Sequence, residues 1–239
     1  MNVLVIAAHP DDEILGMGGT LKKLSRKNKI TILIMATGIF ARRESNYKNS
    51  TKYHSEDSTI KEMEQQTINL KKDAKKALKV VGVKNIEFLD FPDNEMDTIS
   101  TLEVTKSIEK HIDLCNPDTV FTHSIHDVNI DHRIIYNATI TATRPSINNN
   151  VKQVISFEVP SSSEWNFPSM FIPNIFVDIS AELKFKLKAM SMYKNELMEY
   201  PHPRSLDALE IISKRWGTVS GFQAAEAFSL VRKIVEEFT

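Results

Sequence analysis

Val3-Leu4-Val5-Ile6-Ala7-Ala8 runs without a break into His9-Pro10-Asp11-Asp12-Glu13, and the fold is read outward from this junction. A short, continuous apolar run that stops at a polar cluster fits a strand buried on both faces, as in parallel sheets. Ile14 to Lys27 follows with Leu15, Leu21 and Leu24 near helical spacing. Its basic residues come late, where a helix C-terminus favours them. The strand-then-helix alternation repeats. Ile30 to Ala36 is a strand ended by Thr37-Gly38, and Ile60 to Val81 is an amphipathic helix with Ile68, Ala74, Ala77, Leu78 and Val81 inward and Gly82 as its stop. Ile86 to Leu89, Thr119 to Thr122 and Val151 to Phe157 read as strands. Ser100 to Cys115, with Leu102, Ile108 and Ile112 inward, and Asp131 to Thr143 read as helices.

Strands separated by helices of these lengths predict a doubly wound α/β fold with a mainly parallel sheet and right-handed crossovers over about residues 1–160. Beyond it, Ile175 to Asp178 is a candidate strand, and helical patterns cover Ala181–Glu199, Leu206–Arg215 and Phe222–Glu237. No linker precedes this part, so residues 1–239 are read as a single domain, with the sheet core in 1–160 and a helical part in 161–239. The last helix, with Phe228, Val231 and Val235, packs on the domain or at a subunit interface, which leaves a homo-oligomer open. Phe40 to Thr59 is polar and long for a connection, which suits a lid or a disordered segment.

Composition narrows the function classes. The chain has 239 residues, 41% hydrophobic and 26% charged, an ordinary globular mixture. Its 30 basic and 31 acidic side chains leave a net charge of -1, so it lacks the broad basic field of nucleic-acid binders. The lone cysteine, Cys115, cannot close an internal disulfide, which fits a reducing compartment. No stretch approaches the roughly 18 apolar residues of a membrane span, and Met1 to Ala8 lacks the basic region of a targeting signal. A cytoplasmic protein is expected.

Two polar clusters carry the chemistry. In open α/β sheets, ligands bind beyond the carboxyl ends of strands, where His9 to Glu13 falls. Three successive acidic residues repel one another unless a cation or solvent relieves them. His9 offers a nitrogen and Asp12 a hard oxygen, a partial zinc shell, while Asp11 is free to take a proton from water. The plain alternative is that Asp11 or Asp12 caps the following helix, which leaves the histidine and the extra acids unexplained. Gly16-Met17-Gly18-Gly19 does not match dinucleotide-loop spacing, and its glycines suit close helix–sheet packing. The acidic first turn also opposes a nucleotide-dependent enzyme.

The second cluster, His123-Ser124-Ile125-His126-Asp127-Val128-Asn129-Ile130-Asp131-His132-Arg133, also follows a strand. It could meet the first above the sheet to complete a three-ligand site with an open position. Spacing does not decide which histidine ligates. His132 opens a helix and would be held rigidly, Asp131 could orient a ring nitrogen, and His123 and His126 read as structural.

Together these residues resemble the PIG-L/LmbE-like de-N-acetylase family, on Ala8-His9-Pro10-Asp11-Asp12-Glu13 and Asp131-His132-Arg133. Further similar segments are Phe91-Pro92-Asp93-Asn94, Asn116-Pro117-Asp118, Phe157-Glu158 with Ser161-Ser162-Ser163-Glu164-Trp165, and Pro201-His202-Pro203-Arg204-Ser205. The resemblance spans nearly the whole chain. It implies a Rossmann-like three-layer fold and zinc-dependent removal of acetyl groups from N-acetylated amino sugars such as N-acetylglucosamine. It implies His9, Asp12 and His132 as ligands of Zn2+, or of another divalent metal, and Asp11 as general base.

The chain departs from the family in two places. Many members have His-Pro-Asp-His where this chain has Asn129-Ile130-Asp131-His132, so Asn129 can donate a hydrogen bond but carries no proton, and His202 or His126 could compensate. Many members also carry a substrate-binding arginine in the long helix. Here Asn69-Leu70-Lys71-Lys72-Asp73 has none, which makes Arg42 and Arg43 candidates, alongside His202 and Arg204. Trp165, Phe167, Phe171 and Phe176 are expected to pack or to line a pocket rim. The expected activity is metal-assisted amide hydrolysis on a small amino-sugar substrate. The alternative is a sugar- or metal-binding member that has lost the chemistry.

Overall fold

A computed structural model of the protein describes residues 1–37, 57–146 and 149–237. Arg42, Arg43 and most of the polar connection between the second strand and the long helix lie outside the described residues. The sheet strands are β1 (Asn2–Ala7), β2 (Lys29–Ala36), β3 (Asn85–Phe91), β4 (Thr119–His123), β5 (Gln153–Phe157), β6 (Ile175–Asp178) and β7 (Ala225–Lys233). The helices are α1 (Asp12–Leu24), α2 (Asp57–Val81), α3 (Thr101–Cys115), α4 (Ile130–Ala142), α5 (Leu183–Met190) and α6 (Leu206–Ser220). No helix among the described residues is long and apolar enough to cross a membrane.

The strands form one seven-stranded sheet in the order β3-β2-β1-β4-β5-β7-β6. Pairing is parallel from β3 to β5, and β7 runs antiparallel to both its neighbours. The apolar run that begins the chain divides by parity, because successive side chains on a strand point to opposite faces. Val3, Val5 and Ala7 join Leu21 of α1, Ala74 and Ala77 of α2 and Met190 of α5 in one core. Leu4, Ile6 and Ala8 join Val104 and Ile108 of α3 and Ile135 and Ala138 of α4 in a second core on the other face. A slip of one residue would exchange the two sets, so both cores fix the register of β1.

Helix α1 is broken and mended. Met17, at φ -146° and ψ 23°, leaves helical geometry. The Leu15 carbonyl and the Gly19 N–H, which an unbroken helix would join, find other partners. Lys186 Nζ donates to the Leu15 carbonyl at 2.8 Å, and the Glu226 carboxylate accepts from Gly19 N–H at 2.9 Å and Thr20 N–H at 2.7 Å. Lys186 and Glu226 close the arrangement as a buried ion pair at 2.7 Å. The glycines serve close approach, as their spacing suggested. A Cβ on Gly16 would lie 2.5 Å from the Phe157 ring, and one on Gly19 would lie 2.8 Å from the Ile179 side chain.

The C-terminal part departs most from the sequence reading. The expected helix over Phe222–Glu237 is strand β7, inserted between β5 and β6. Phe228, Val231 and Val235 fit a helical period, but Val235 lies beyond the strand and is exposed. Backbone pairing on both sides of β7 outweighs that local pattern. The helix expected over Ala181–Glu199 spans only Leu183–Met190, and α6 runs on past Arg215 to Ser220. Ile68 and Leu102, placed inward by periodicity, are exposed. Phe176 packs against Trp216 with ring centroids 5.9 Å apart, whereas Phe167 is exposed.

Lys186→Met should destabilise the protein by about 3–5 kcal/mol in chemical denaturation, because it leaves the Glu226 carboxylate buried without its cation. Unchanged stability would remove the ion pair from its role in mending α1.

Candidate metal centre

The strand order reverses between β1 and β4. The first half of the chain builds outward through β2 and β3, and the second half builds the other way through β5. Their parallel pairing, Val3 opposite Thr119 through Val5 opposite Phe121, brings the loops after β1 and β4 together at the switch point. This explains how residues far apart in sequence meet. The rings of His9 and His132 lie 5.5 Å apart, and one ligand atom from each of His9, Asp12 and His132 lies within 4.8 Å of the others.

The loop after β1 is shaped by its backbone. Asp11 occupies a left-handed conformation at φ 116°, rare for a residue with a side chain. Its carbonyl accepts from Ile14 N–H at 2.9 Å and Leu15 N–H at 2.8 Å, which starts α1. Its side chain makes no capping hydrogen bond, so helix capping does not account for this carboxylate. Its own N–H donates to Glu13 at 3.2 Å, and Glu13 accepts the Tyr193 hydroxyl proton at 2.5 Å. Burial pushes the Glu13 carboxyl up to about 7.

Asp12 stands at the centre. Its Oδ2 accepts the His9 N–H at 2.8 Å and lies 3.5 Å from His9 Nδ1 and 3.3 Å from His132 Nε2. Burial alone would raise its pKa, but His132 and His9 outweigh it and hold Asp12 ionised, well below the usual range. His132 Nε2 is buried without a hydrogen-bond partner. An orphaned imidazole nitrogen beside a buried carboxylate and a second imidazole suits a divalent cation with N and O ligands.

Each histidine is backed by a carboxylate. His9 Nε2 lies 3.0 Å from Asp131 Oδ2, and Asp131 also accepts from Asn94 N–H at 2.7 Å and Met96 N–H at 3.1 Å. Asp93 adds an oxygen 3.3 Å from the same His9 nitrogen. Asp131 thus faces the histidine of the first cluster, not its neighbour in sequence. His132 Nδ1 lies instead 3.0 Å from Asp127 Oδ2, a partner the sequence did not single out. Asp127 accepts from Ser163 Oγ at 3.0 Å, from the Ser162 hydroxyl and from Asn129 N–H at 2.9 Å. Burial raises the His132-paired Asp127, but the imidazole and these donors overcome it and lower its pKa. Only the density of carboxylates around His132 hinted at Asp127, and spacing did not distinguish it from Asp131.

His123 supports this arrangement. Its Nε2 accepts the Ala8 N–H at 2.7 Å, and its ring stacks on His132 at 3.9 Å. Burial, aided by repulsion from His132, keeps its pKa well below the ordinary value. His126 points elsewhere, into a second cavity of about 270 Å³, with Nδ1 2.6 Å from Ser169 Oγ.

The clustered residues floor a cavity of about 390 Å³ whose lining includes Asp11, Leu70, Asn94, Asn129, Trp165 and Arg204. Asp11 Oδ2 is buried without a hydrogen bond, 3.7 Å from Arg204 Nη1. Burial raises the Asp11 pKa well above the usual value. Asp12 and Glu196 add to the effect, and Arg204 opposes it. The Arg204 guanidinium is braced by Glu196 at 3.2 Å, and the Arg204 backbone N–H donates to His202 Nδ1 at 3.1 Å. His202 thus meets the Arg204 backbone and stands behind the cavity wall. Asn129 Oδ1 caps α4 through Asp131 N–H at 2.9 Å, and its Nδ2 donates to Asn94 Oδ1 at 2.8 Å.

Residues 4–143 match the sequence family described as PIG-L, GlcNAc-PI de-N-acetylase. The chain is 27% identical over 240 residues to the diacetylchitobiose deacetylase of Thermococcus kodakarensis, covering 96% of this chain and 82% of that protein. The structure of the N,N'-diacetylchitobiose deacetylase from Pyrococcus horikoshii superposes with a TM-score of 0.72 at 22% identity, covering 96% of this chain and 83% of the other. The 4-carboxy-2-hydroxymuconate hydratase GalB of Pseudomonas putida superposes with a TM-score of 0.70 at 20% identity over the full length of both chains. At these identities the structural likeness establishes the fold alone.

Asp127→Asn should weaken divalent-metal affinity about 10–100-fold in a chelator competition, because His132 loses the carboxylate that orients it. Unchanged affinity would sink that assignment. Metal affinity should also rise with pH. Burial lowers the His132 pKa, but Asp12 and Asp127 outweigh it and push it up to about 9, so a cation must displace a proton below that pH. Calorimetry in buffers of different ionisation enthalpy would read the released proton.

Proposed function

The chain belongs to the PIG-L family of de-N-acetylases, and on that premise we propose that it is a metal-dependent hydrolase that removes the acetyl group from an N-acetylated amino sugar or sugar conjugate. The observation that carries this reading is Asp11. It is a buried carboxylate whose Oδ2 has no hydrogen bond, on the cavity floor, one residue from the Asp12 that joins His9 and His132.

His9, Asp12 and His132 would hold the cation. Two imidazoles and one carboxylate suit zinc, although metal supply also governs occupancy. A bound divalent cation would acidify a water molecule and polarise the acetyl carbonyl.

The chain's own residues do the rest. Asp11 takes the proton of the attacking water, and its raised pKa brings it nearer to the working pH of a general base. Arg204 and the bond from Asp11 N–H to Glu13 support that carboxylate on the cavity floor. Asn129 spends one amide hydrogen on Asn94, which leaves the other for the oxygen that gains charge as water adds to the carbonyl carbon. One such donor contributes on the order of 3 kcal/mol. Asp11 then returns its proton to the departing nitrogen, the C–N bond breaks, and acetate and a free amine leave. Arg204 in the cavity wall also suits a substrate hydroxyl. Arg42 and Arg43 remain candidates for that role. The lone Cys115 supports a reducing, cytoplasmic setting.

Asn129, in place of a histidine, favours a second reading, a binding protein without turnover. Acetate release from free, nucleotide-linked and lipid-linked N-acetyl amino sugars, with and without a chelator, separates the two. Asp11→Asn should lower turnover about 10²–10⁴-fold with metal content unchanged. Retained turnover would remove Asp11 as the base, and no release from any sugar would leave the binding reading.

A further inference from the structure

Among the described residues Trp165, Phe167, Tyr200 and Phe222 are exposed aromatic side chains, and of these Trp165 alone lines the cavity. It is 49% exposed yet lines the mouth of the cavity. The other tryptophan, Trp216, is 6% exposed and donates its indole N–H to Glu158. The indole N–H of Trp165 has no hydrogen-bond partner among the described residues. Leaving half an indole in water forfeits apolar burial, which is ordinary for a surface residue but notable at the rim of a polar cavity.

Its backbone belongs to a turn held by its own hydrogen bonds and tied to Asp127 beside the metal centre. Trp165 ends a short 3-10 turn, Ser163–Trp165. The Glu164 carboxylate accepts from Ser161 N–H at 2.9 Å and Ser162 N–H at 3.1 Å, and Ser163 Oγ accepts from Val159 N–H at 2.8 Å. The hydroxyls of Ser162 and Ser163 grip Asp127, which faces His132. The His202 ring stands almost perpendicular to the indole, at 83° and 6.2 Å. The indole is therefore presented by a rigid turn tied to the metal centre.

We infer that Trp165 is a stacking platform for a second ring of the substrate, a sugar joined to the N-acetylated one, so that a disaccharide or larger glycoside is preferred to a free monosaccharide. The inference rests on the amino-sugar reading above. The acetamide must reach Asp11 on the floor, so the part of the substrate that points outward meets the mouth. One face of a pyranose presents C–H groups that an indole covers without needing desolvated polar partners, while the indole N–H is free to donate to a ring hydroxyl.

The test compares wild-type protein, Trp165→Ala and Trp165→Phe on N-acetylglucosamine and N,N'-diacetylchitobiose. Trp165→Ala should raise KM for the disaccharide about tenfold, with a much smaller change for the monosaccharide, and Trp165→Phe should restore most of the loss. Independently, disaccharide added to Asp11→Asn protein should change tryptophan emission, and the change should vanish in Asp11→Asn/Trp165→Phe, which needs no substitution at the buried Trp216. Acetate release with equal disaccharide KM in wild type and Trp165→Ala, and silent emission, overturns the platform and leaves the deacetylase reading intact. An emission response without acetate release from either sugar keeps the platform and overturns the deacetylase reading. Silence in both overturns both.

Discussion

The site depends on one constraint, the parallel pairing of β1 with β4 at the point where the strand order reverses. Parallel strands end on the same edge of a sheet, and at a switch point the two following loops diverge to opposite sides and leave a crevice between them. Ala7 and His123 end the two strands, so His9 to Asp12 and Asp127 to His132 must face each other. The two cores on either side of β1 then hold the pairing in register. Nothing in the chemistry of the site would survive a shift of that register, because each side chain on β1 would change face.

The crevice is also an electrostatic problem that the chain solves in pairs. Asp11, Asp12, Glu13, Asp93, Asp127, Asp131 and Glu196 are all buried near one another. Buried carboxylates are costly unless they are hydrogen-bonded or paired. Asp131 and Asp127 are relieved by imidazoles and backbone N–H groups, Glu13 by Tyr193, and Glu196 by Arg204. Asp11 is left with a 3.7 Å approach to an arginine. The arrangement makes one carboxylate unlike the others, and that difference is what general-base chemistry requires.

The strand–helix alternation, the parallel sheet and the two strand-end clusters were legible because each rests on local periodicity or on residues adjacent in sequence. The roles that depend on long-range contact were not. Asp127 and Asp131 look equivalent beside His132, and only the fold shows that one faces His132 and the other crosses to His9. Strand β7 was read as a helix because Phe228 and Val231, three residues apart, fit a helical period, whereas in the strand they face the two different cores. Ile68 and Leu102 show the converse: apolar residues at helical spacing that no neighbour covers. The family match ends at residue 143, and Tyr193, Glu196 and Arg204, which brace Asp11 and its loop, all come after it.

The mended break in α1 has a consequence for how the molecule comes into being. The N-terminal helix that carries Asp12 has one of its ladder bonds replaced by a lysine from α5 and a glutamate from β7. A ribosome delivers these residues in the opposite order to the one the helix needs. During synthesis the helix that carries Asp12 must wait, with its ladder open, for strand β7 to emerge.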